Sequence, residues 1–263
     1  MQVPASTANV GPAFDAVAVA LGISLEVSDT GDPALETHPA VRAFRGAGGD
    51  GPLSVHARFP GGRGLGYSGA ARVAGVVAAY TQQGRGLHEM RTDVLREATT
   101  LEGHADNVAA SLHGGVVAVA GGRVVRLPLA RSLLVVLWVP DRETSTATAR
   151  RLLPGHMTFD DAAFNVGRTA LLMAALAAGE VDALRTATED RLHQDRRLSR
   201  TRETRVAMEA ALGAGAFAAW LSGSGPSAAA FVDPAHAQDV ASAMPSGGRV
   251  LVVEIAEEGA RVT

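Results

Sequence analysis

Cysteine is absent from the 263 residues, so disulfides, thiolate zinc sites and cysteine nucleophiles are excluded. Basic residues form no run longer than two, and the formal net charge is −3, which argues against a nucleic-acid-binding surface. No apolar stretch reaches the roughly 18 residues of a membrane span, and the N-terminus, MQVPASTANVGPAFD, lacks signal-peptide regions. We therefore expect a cytoplasmic protein that acts on a small molecule and binds neither nucleic acid nor a membrane.

Aromatic residues make up only 4% of the chain, whereas hydrophobic residues make up 47%, so Ala, Val and Leu must fill most of the interior. This length suffices for one large or two modest domains. We favour two, with the change of domain near Pro128, between a predicted hairpin (VVAVAGGRVVRL) and the apolar strand from Leu133 to Val139. The N-terminal domain then covers residues 1–128 and the C-terminal domain residues 129–263.

A cluster of glycines leads into an Ala- and Val-rich segment between Phe59 and Tyr80, FPGGRGLGYSGAARVAGVVAAY. The alternating residues from Leu53 to Phe59 predict a strand before the glycines, and the segment after them predicts a helix. Free N–H groups and the positive end of the helix dipole favour an anion there, and glycines let a phosphate approach the backbone. The alternative is a glycine-rich surface turn ahead of a buried helix.

The segment from Pro4 to Leu21, PASTANVGPAFDAVAVAL, also concentrates polar side chains at a turn. It ends in an apolar alternation typical of a strand or a tight helix. Asn9 and Asp15 in this segment either bond their own backbone, as such residues do in turns, or orient an amino or hydroxyl group of a ligand.

A second polar cluster follows a helix predicted from Met90 to Thr99. The heptad LEGHADN, from Leu101 to Asn107, packs two carboxylates, an imidazole and an amide around one glycine. Asp106 either caps a helix over residues 107–112 or belongs to a turn that faces a ligand.

Strands alternate with helices in the second half of the chain, which predicts an α+β sandwich with an antiparallel sheet. A helix predicted to start after Thr144 places Thr146 and Arg150 on one face, at i and i+4. The apolar spacing from Val181 to Leu198 predicts a single helix that carries Arg197 near its end. An arginine there either interacts with the helix dipole and solvent or binds an anion.

Four motifs together resemble the GHMP kinases, which comprise galactokinase, homoserine kinase, mevalonate kinase and phosphomevalonate kinase. Residues Pro60 to Ala70 are similar to the phosphate loop PxxxGLGSSAA, and SGSGPS from Ser222 to Ser227 is similar to the C-terminal glycine motif. PASTANVGPAFD from Pro4 to Asp15 and EGHADNVAASLHGG from Glu102 to Gly115 resemble the homoserine kinase motifs PATSANLGPGFD and EGHPDNVAPALLGG.

The resemblance implies an α+β fold of two domains. The N-terminal domain would be a ribosomal-S5-like α/β domain with the phosphate loop, and the C-terminal domain a ferredoxin-like α+β sandwich that completes the pocket. The implied reaction transfers the γ-phosphoryl group of MgATP to the hydroxyl of L-homoserine, which gives O-phospho-L-homoserine on the path to threonine. ATP and Mg²⁺ are the implied cofactors, and homodimers are common in the family.

The resemblance also implies the residues of the site. The implied nucleotide-binding residues are Arg63, Gly64, Leu65, Gly66, Tyr67, Ser68, Gly69 and Ala70, with the metal beside Ser68 and Glu102. The implied substrate-binding residues are Asn9, Asp15, His104, Asn107, Thr146, Arg150, Arg197 and Gly223. Asp15 suits the ammonium of a zwitterion, and Arg150 and Arg197 suit its carboxylate. Asp15 and Ser68 are the catalytic candidates, although phosphoryl transfer depends mainly on positioning and charge neutralisation.

Three positions depart from the family pattern. Tyr67 replaces the first serine of GLGSSAA and Gly69 its first alanine, which puts a bulky phenol at the phosphate loop. Thr100 replaces a glutamate that the resemblance makes the usual magnesium ligand, and a hydroxyl is a weaker partner for a hard cation. The alternatives are a catalytically impaired homoserine-binding protein and a GHMP kinase for another small alcohol. A serine hydrolase is disfavoured, since Ala70 occupies the second glycine of a nucleophile elbow.

Overall fold

The computed structural model describes residues 1–262, in which groups of strands and groups of helices follow one another along the chain. The strands are β1 (Gln2–Ala8), β2 (Val17–Ser28), β3 (Ser54–Ala57), β4 (Val116–Ala120), β5 (Arg123–Leu127), β6 (Leu134–Pro140), β7 (Ala218–Leu221), β8 (Ala228–Val232) and β9 (Gly248–Glu254). The helices are α1 (Pro39–Gly46), α2 (Tyr67–Gln82), α3 (Leu87–Glu102), α4 (Asp106–His113), α5 (Thr146–Arg150), α6 (Phe159–Ala178), α7 (Leu184–Ala187), α8 (Gln194–Leu198), α9 (Arg202–Gly213) and α10 (Ala237–Ala243).

The first sheet is antiparallel, with strand order β1-β2-β4-β5 and with β3 paired to β2. The predicted hairpin is confirmed, because β4 and β5 meet at Ala120 and Arg123 across Gly121 and Gly122, both with positive φ. Helix α2 packs against α1, α3, α4 and β1, so the Ala- and Val-rich segment lies in the core. The loop before α2 lies between strand β1, where the Ser6 N–H donates to the Leu65 carbonyl, and the glycine motif after β7, where Ser222 Oγ donates to the Gly64 carbonyl.

The second sheet is also antiparallel and has the order β7-β8-β6-β9. Its elements follow the chain order of a ferredoxin-like fold, with helices between β6 and β7 and α10 between β8 and β9. Trp138, Trp220 and Phe231 are buried in it and provide much of its aromatic volume. The predicted α+β class with an antiparallel second sheet is confirmed.

The single helix predicted from Val181 to Leu198 is wrong. The chain forms a short 3-10 helix at Val181–Ala183, continues into α7, turns, and resumes as α8. Asp190 causes the break, because its carboxylate accepts backbone N–H groups of three consecutive residues, Leu192, His193 and Gln194, at 2.7–2.9 Å. Asp and Asn side chains compete with helical hydrogen bonds in this way.

The N-terminal segment also differs from its prediction, since the hydroxylated residues after Met1 form strand β1 rather than part of a turn. The turn is confined to residues 9–16. The two sheets are joined at a strand edge, where Leu21 bridges to Ile255 and Gln2 to Arg261. The domain boundary near Pro128 stays a prediction. Within residues 1–262, no helix has both the length and the apolar character that crossing a membrane requires.

Candidate active site

One polar cavity gathers most of the predicted site residues. Its lining consists of Asn9, Asp15, Gly62, Gly64, Leu65, Gly66, Tyr67, Ser68, Glu102, His104, Asn107, Thr144, Thr146, Arg150, Arg197, Gly223 and Ser224. Three predicted nucleotide-binding residues lie outside the lining: Gly69 and Ala70 are within the first turns of α2, and Arg63 points elsewhere. The Arg63 side chain donates to the Pro140 carbonyl at 2.9 Å and pairs with Glu143, so it holds the loop rather than facing the cavity.

The glycine loop presents the N-terminus of α2 to this cavity. Gly66 is the N-cap residue and has a φ of 66°, and no side chain in the described part of the chain caps this end. A Cβ at Gly66 would collide with Ser6 Oγ and lie 2.8 Å from Asn107 Oδ1, so a larger residue does not fit. The first N–H groups of α2 are therefore available for an anion.

The Tyr67 ring lines the cavity and packs against His38 at the start of helix α1. Its ring lies edge-on to Phe59 and to His38, and its hydroxyl is 2.9 Å from His38 Nε2. His38 Nδ1 accepts the Ala40 N–H, so a neutral ring carries its proton on Nε2 and donates it to the phenol. Burial lowers the pKa of His38 and raises that of Tyr67, which keeps both neutral. This packing therefore holds the phenol hydroxyl on His38.

Ser68 and Glu102 face each other across the cavity, with Ser68 Oγ donating to Glu102 Oε2 at 2.6 Å. Arg72 from α2 contacts both groups through Nη1. Thr100, in contrast, is exposed and donates back to the Arg96 carbonyl. Thr100 therefore does not line the cavity, whereas the Glu102 carboxylate lies there in contact with Ser68.

The start of α4 carries the second polar cluster. His104 Nδ1 lies 2.6 Å from Asp106 Oδ1, which also accepts the Asn107 N–H, and His104 Nε2 lies 3.6 Å from Glu102 Oε1. Asp106 is fully buried, and its Oδ2 has no hydrogen-bond partner within residues 1–262. The N-cap residue is Ala105 and not Asp106. The heptad thus positions His104 toward the cavity, which favours the ligand-facing turn over the simple cap.

Asn9 and Asp15 shape the opposite wall, and both adopt positive φ, 57° and 54°. Asn9 Oδ1 accepts the Asp15 N–H at 2.8 Å, so the turn bonding that such residues favour is present. The carboxylate of Asp15 nevertheless lies in the cavity lining, where Arg150 Nη2 donates to both of its oxygens at 2.8 Å. Ligand atoms of Asp15, His104 and Asp106 all lie within 4.8 Å of one another.

Arg197 is only 4% exposed, so the interpretation as a solvent partner does not hold. Its Nη1 donates to the Gly223 carbonyl at 3.0 Å, and its Nε has no hydrogen-bond partner among the described residues. Burial, with Arg150 nearby, lowers its pKa to about 10, which still leaves it charged. The guanidinium carbons of Arg150 and Arg197 lie 5.3 and 5.2 Å from the Phe14 ring centroid. One aromatic ring therefore supports both cations.

Sequence reasoning missed several lining or supporting residues. Ser224 and Thr144 lie in motifs that had been singled out, and Ser224 Oγ is 3.4 Å from Thr146 Oγ1. Phe14 carried no signal beyond its place in the opening motif. Arg72 had one, since it follows Ser68 at i+4 on a predicted helix.

The donor chemistry fits both implied cofactors. An uncapped helix N-terminus behind a glycine loop suits the phosphates of ATP. Ser68 and Glu102 offer hard oxygen atoms of the kind that Mg²⁺ prefers, and they are already adjacent.

Comparison with known proteins identifies the family. The family model for the GHMP kinases N terminal domain matches residues 35–115, and that for GHMP kinases C terminal matches residues 172–250. A homoserine kinase of Thermus thermophilus is 39% identical over 284 residues, which cover 98% of this chain and 96% of the relative. A homoserine kinase of Streptomyces avermitilis is 39% identical, covering 100% and 94%. The crystal structure of a homoserine kinase from Cytophaga hutchinsonii is 26% identical, covers 98% and 95%, and has a TM-score of 0.84. The chain therefore belongs to the GHMP kinase family.

Proposed function

We propose that this protein is a kinase that transfers the γ-phosphoryl group of MgATP to the side-chain hydroxyl of L-homoserine. One observation carries the proposal: a helix N-terminus without a side-chain cap and a set of carboxylate and guanidinium groups line the same cavity. The names of the curated relatives, homoserine kinases at 39% identity over nearly the whole chain, support the same acceptor.

The charges of the cavity match a zwitterion. Asp15, with Asp106 and His104 close by, provides the negative side for an ammonium group. Arg150 and Arg197, both against Phe14, provide the positive side for a carboxylate, which guanidinium groups bind in a bidentate manner.

Asp15 and Arg150 pair with each other when no ligand is present. An amino acid offers each of them a partner of opposite charge, so opening the pair leaves neither charge unpaired. Their side chains are 33% and 36% exposed, which lets them exchange partners at a modest desolvation cost.

The phosphate side is built from the backbone of α2 and from Ser68. A magnesium ion held by Ser68 and Glu102 would neutralise charge on the phosphoryl oxygens. In this proposal the N–H groups at the start of α2 bind the phosphates. Asn107, whose Oδ1 accepts a hydrogen bond from the Ser6 hydroxyl at 2.8 Å, keeps the homoserine-binding side of the cavity next to them.

Asp15 orients the substrate in this proposal rather than removing its proton. Its two oxygens both accept hydrogen bonds from Arg150 when no ligand is present, and in the proposed complex they face the ammonium group of the substrate. Phosphoryl transfer passes through a loose transition state, so positioning and charge neutralisation supply most of the rate.

A coupled assay of ADP release tests the proposal, with Arg150→Ala compared with Arg151→Ala. Arg150 faces the cavity, whereas its neighbour Arg151 is exposed and donates to Thr148. Loss of a charge-assisted contact should raise the homoserine KM of Arg150→Ala about ten- to a hundredfold and leave the ATP KM nearly unchanged. Arg151→Ala should behave as the wild type.

The proposal is wrong if the wild-type protein, at high concentration and with Mg²⁺, releases no ADP in response to homoserine. Calorimetry then distinguishes the two alternatives. Homoserine binding without turnover identifies a binding protein, and turnover with a different small alcohol identifies another acceptor.

A further inference from the structure

A guanidinium group occupies the point at which the proposed metal ligands converge. Arg72 follows Ser68 by one helical turn on α2, and its Nη1 contacts both Ser68 Oγ and Glu102 Oε2. The Arg72 side chain is 23% exposed and that of Glu102 is 8% exposed. The pair is therefore mostly withdrawn from water, where solvent and salt screen it less than a surface ion pair.

The burial of Glu102 explains why Arg72 pairs with it when no ligand is bound. A carboxylate as buried as Glu102 is strongly destabilising when it has no cationic partner. His104 Nε2 lies 3.6 Å from the other oxygen of Glu102, beyond a normal hydrogen bond, so Arg72 is the main partner.

A divalent metal would require the same oxygens. Mg²⁺ binds oxygen ligands at close range in near-octahedral geometry, and a guanidinium in contact with the same carboxylate oxygen repels it. We propose that Arg72 is a resident counter-ion that competes with the divalent metal for Ser68 and Glu102 and so sets how much metal the protein requires. The inference rests on the proposed function, which makes these two residues metal ligands.

The neighbouring recess strengthens the competition. Arg72 also lines a surface recess together with Thr37, Pro39, Arg42, Ala43 and Leu101. A guanidinium displaced from Glu102 into this recess meets the positive charge of Arg42, and like charges repel. Displacement is therefore unfavourable, and the metal binds more weakly than it would to Ser68 and Glu102 alone.

Direct metal binding tests the proposal without any turnover. Bound Mn²⁺ is measured by electron paramagnetic resonance at a fixed ADP concentration, for the wild type and for two neutral variants, Arg72→Met and Arg72→Gln. Both variants should bind Mn²⁺ roughly three- to tenfold more tightly, the range expected when one partly buried ion pair no longer competes.

Two matched variants control this experiment. Arg42→Met removes a nearby positive charge that contacts neither proposed ligand, and it should tighten Mn²⁺ binding clearly less than the Arg72 variants do, because Arg72 still pairs with Glu102 in it. Glu102→Gln should weaken Mn²⁺ binding, because a neutral amide is a poorer ligand for a hard cation.

Thermal unfolding gives a second measurement for variants that fold poorly. Without metal, Arg72→Met should melt below the wild type, because Glu102 loses its partner. Addition of Mn²⁺ and ADP should then raise the melting temperature more in Arg72→Met than in the wild type, since tighter binding stabilises the folded state more.

Unchanged or weaker Mn²⁺ binding in both neutral variants overturns the proposal, and so does an equal effect of Arg42→Met. A Glu102→Gln variant that binds Mn²⁺ as tightly as the wild type overturns it as well, because Glu102 is then not a metal ligand for which Arg72 could compete. A wild-type protein that does not phosphorylate homoserine overturns the proposed function alone, since tighter Mn²⁺ binding by the Arg72 variants would still show the competition.

Discussion

Substitution of Gly66 by alanine should damage both the fold and nucleotide binding. Alanine in the left-handed conformation that Gly66 adopts costs about 1–2 kcal/mol. The added carbon would also collide with Ser6 Oγ and lie 3.1 Å from the Ser6 carbonyl, and such overpacking costs about 1–3 kcal/mol. Together these effects predict a loss of roughly 2–5 kcal/mol, a large part of the ~5–15 kcal/mol that stabilises a typical protein.

The same change should weaken ADP binding. Relief of the collision has to move Gly66, and Gly66 is the N-cap of the helix whose first N–H groups face the cavity. A shift of about 1 Å is enough to misalign such groups, so we expect at least a tenfold rise in the ADP dissociation constant.

Gly61→Ala is the matched control in the same loop. The atoms nearest to a Cβ at Gly61 would be those of the Tyr67 ring, at 3.6 Å, which is an ordinary contact, and Gly61 does not have a positive φ. Its stability should stay within about 1 kcal/mol of the wild type. Denaturant unfolding and calorimetric titration with ADP measure both effects. Equal behaviour of the two variants would refute the reasoning that the left-handed Gly66 holds the loop.

Three further predictions concern other residues. Thr100→Glu should leave Mn²⁺ affinity within about twofold of the wild type, because residue 100 is exposed. Glu102→Gln should reduce that affinity at least tenfold, because it removes a carboxylate in contact with Ser68. Equal effects of the two variants in electron paramagnetic resonance titrations would contradict the assignment of Glu102 as a metal ligand. Tyr67→Phe should lower the free energy of unfolding by about 1 kcal/mol, measured with denaturant, since His38 loses its hydrogen-bond acceptor. The same change should barely alter ADP affinity, and a tenfold loss of ADP affinity would show that the hydroxyl contacts the nucleotide. Burial lowers the pKa of His113 from 6.5 to about 4, so the unfolded chain binds a proton there that the folded protein does not. The contribution of His113 to the free energy of unfolding should therefore be fully present above pH 6.5 and decline as the pH falls to about 4. His113→Gln should flatten this dependence of stability on pH, and an unchanged pH dependence would exclude His113 as its origin.

Local patterns predicted most of the elements that position the site. The glycine loop before α2 and the two-residue turn between β4 and β5 depend on residues adjacent in sequence, so their conformations follow from glycine spacing and from apolar alternation. The motif residues of the cavity were found for the same reason, because each group lies within one short segment.

Longer-range contacts explain where the prediction from Val181 to Leu198 was wrong. The apolar spacing is typical of a helix, but the carboxylate of Asp190 accepts both local N–H groups and the Asn165 side chain on α6, 25 residues away. Burial of Arg197 depends in the same way on its distant partner Gly223. Such contacts override local propensity, and a single sequence does not reveal them.

The sequence by itself determined the chemistry that the chain brings together: an anion-binding loop, carboxylates and guanidinium groups in four short motifs. Only the tertiary structure decided the pairings among them. Tyr67 packs on His38, Arg150 pairs with Asp15, and Arg72 contacts Glu102. Partners separated by 29 to 135 residues, such as the first two pairs, meet only after the sheets and helices have packed. Burial then decides which of these charges must be paired, since an unpaired charge is costly away from water.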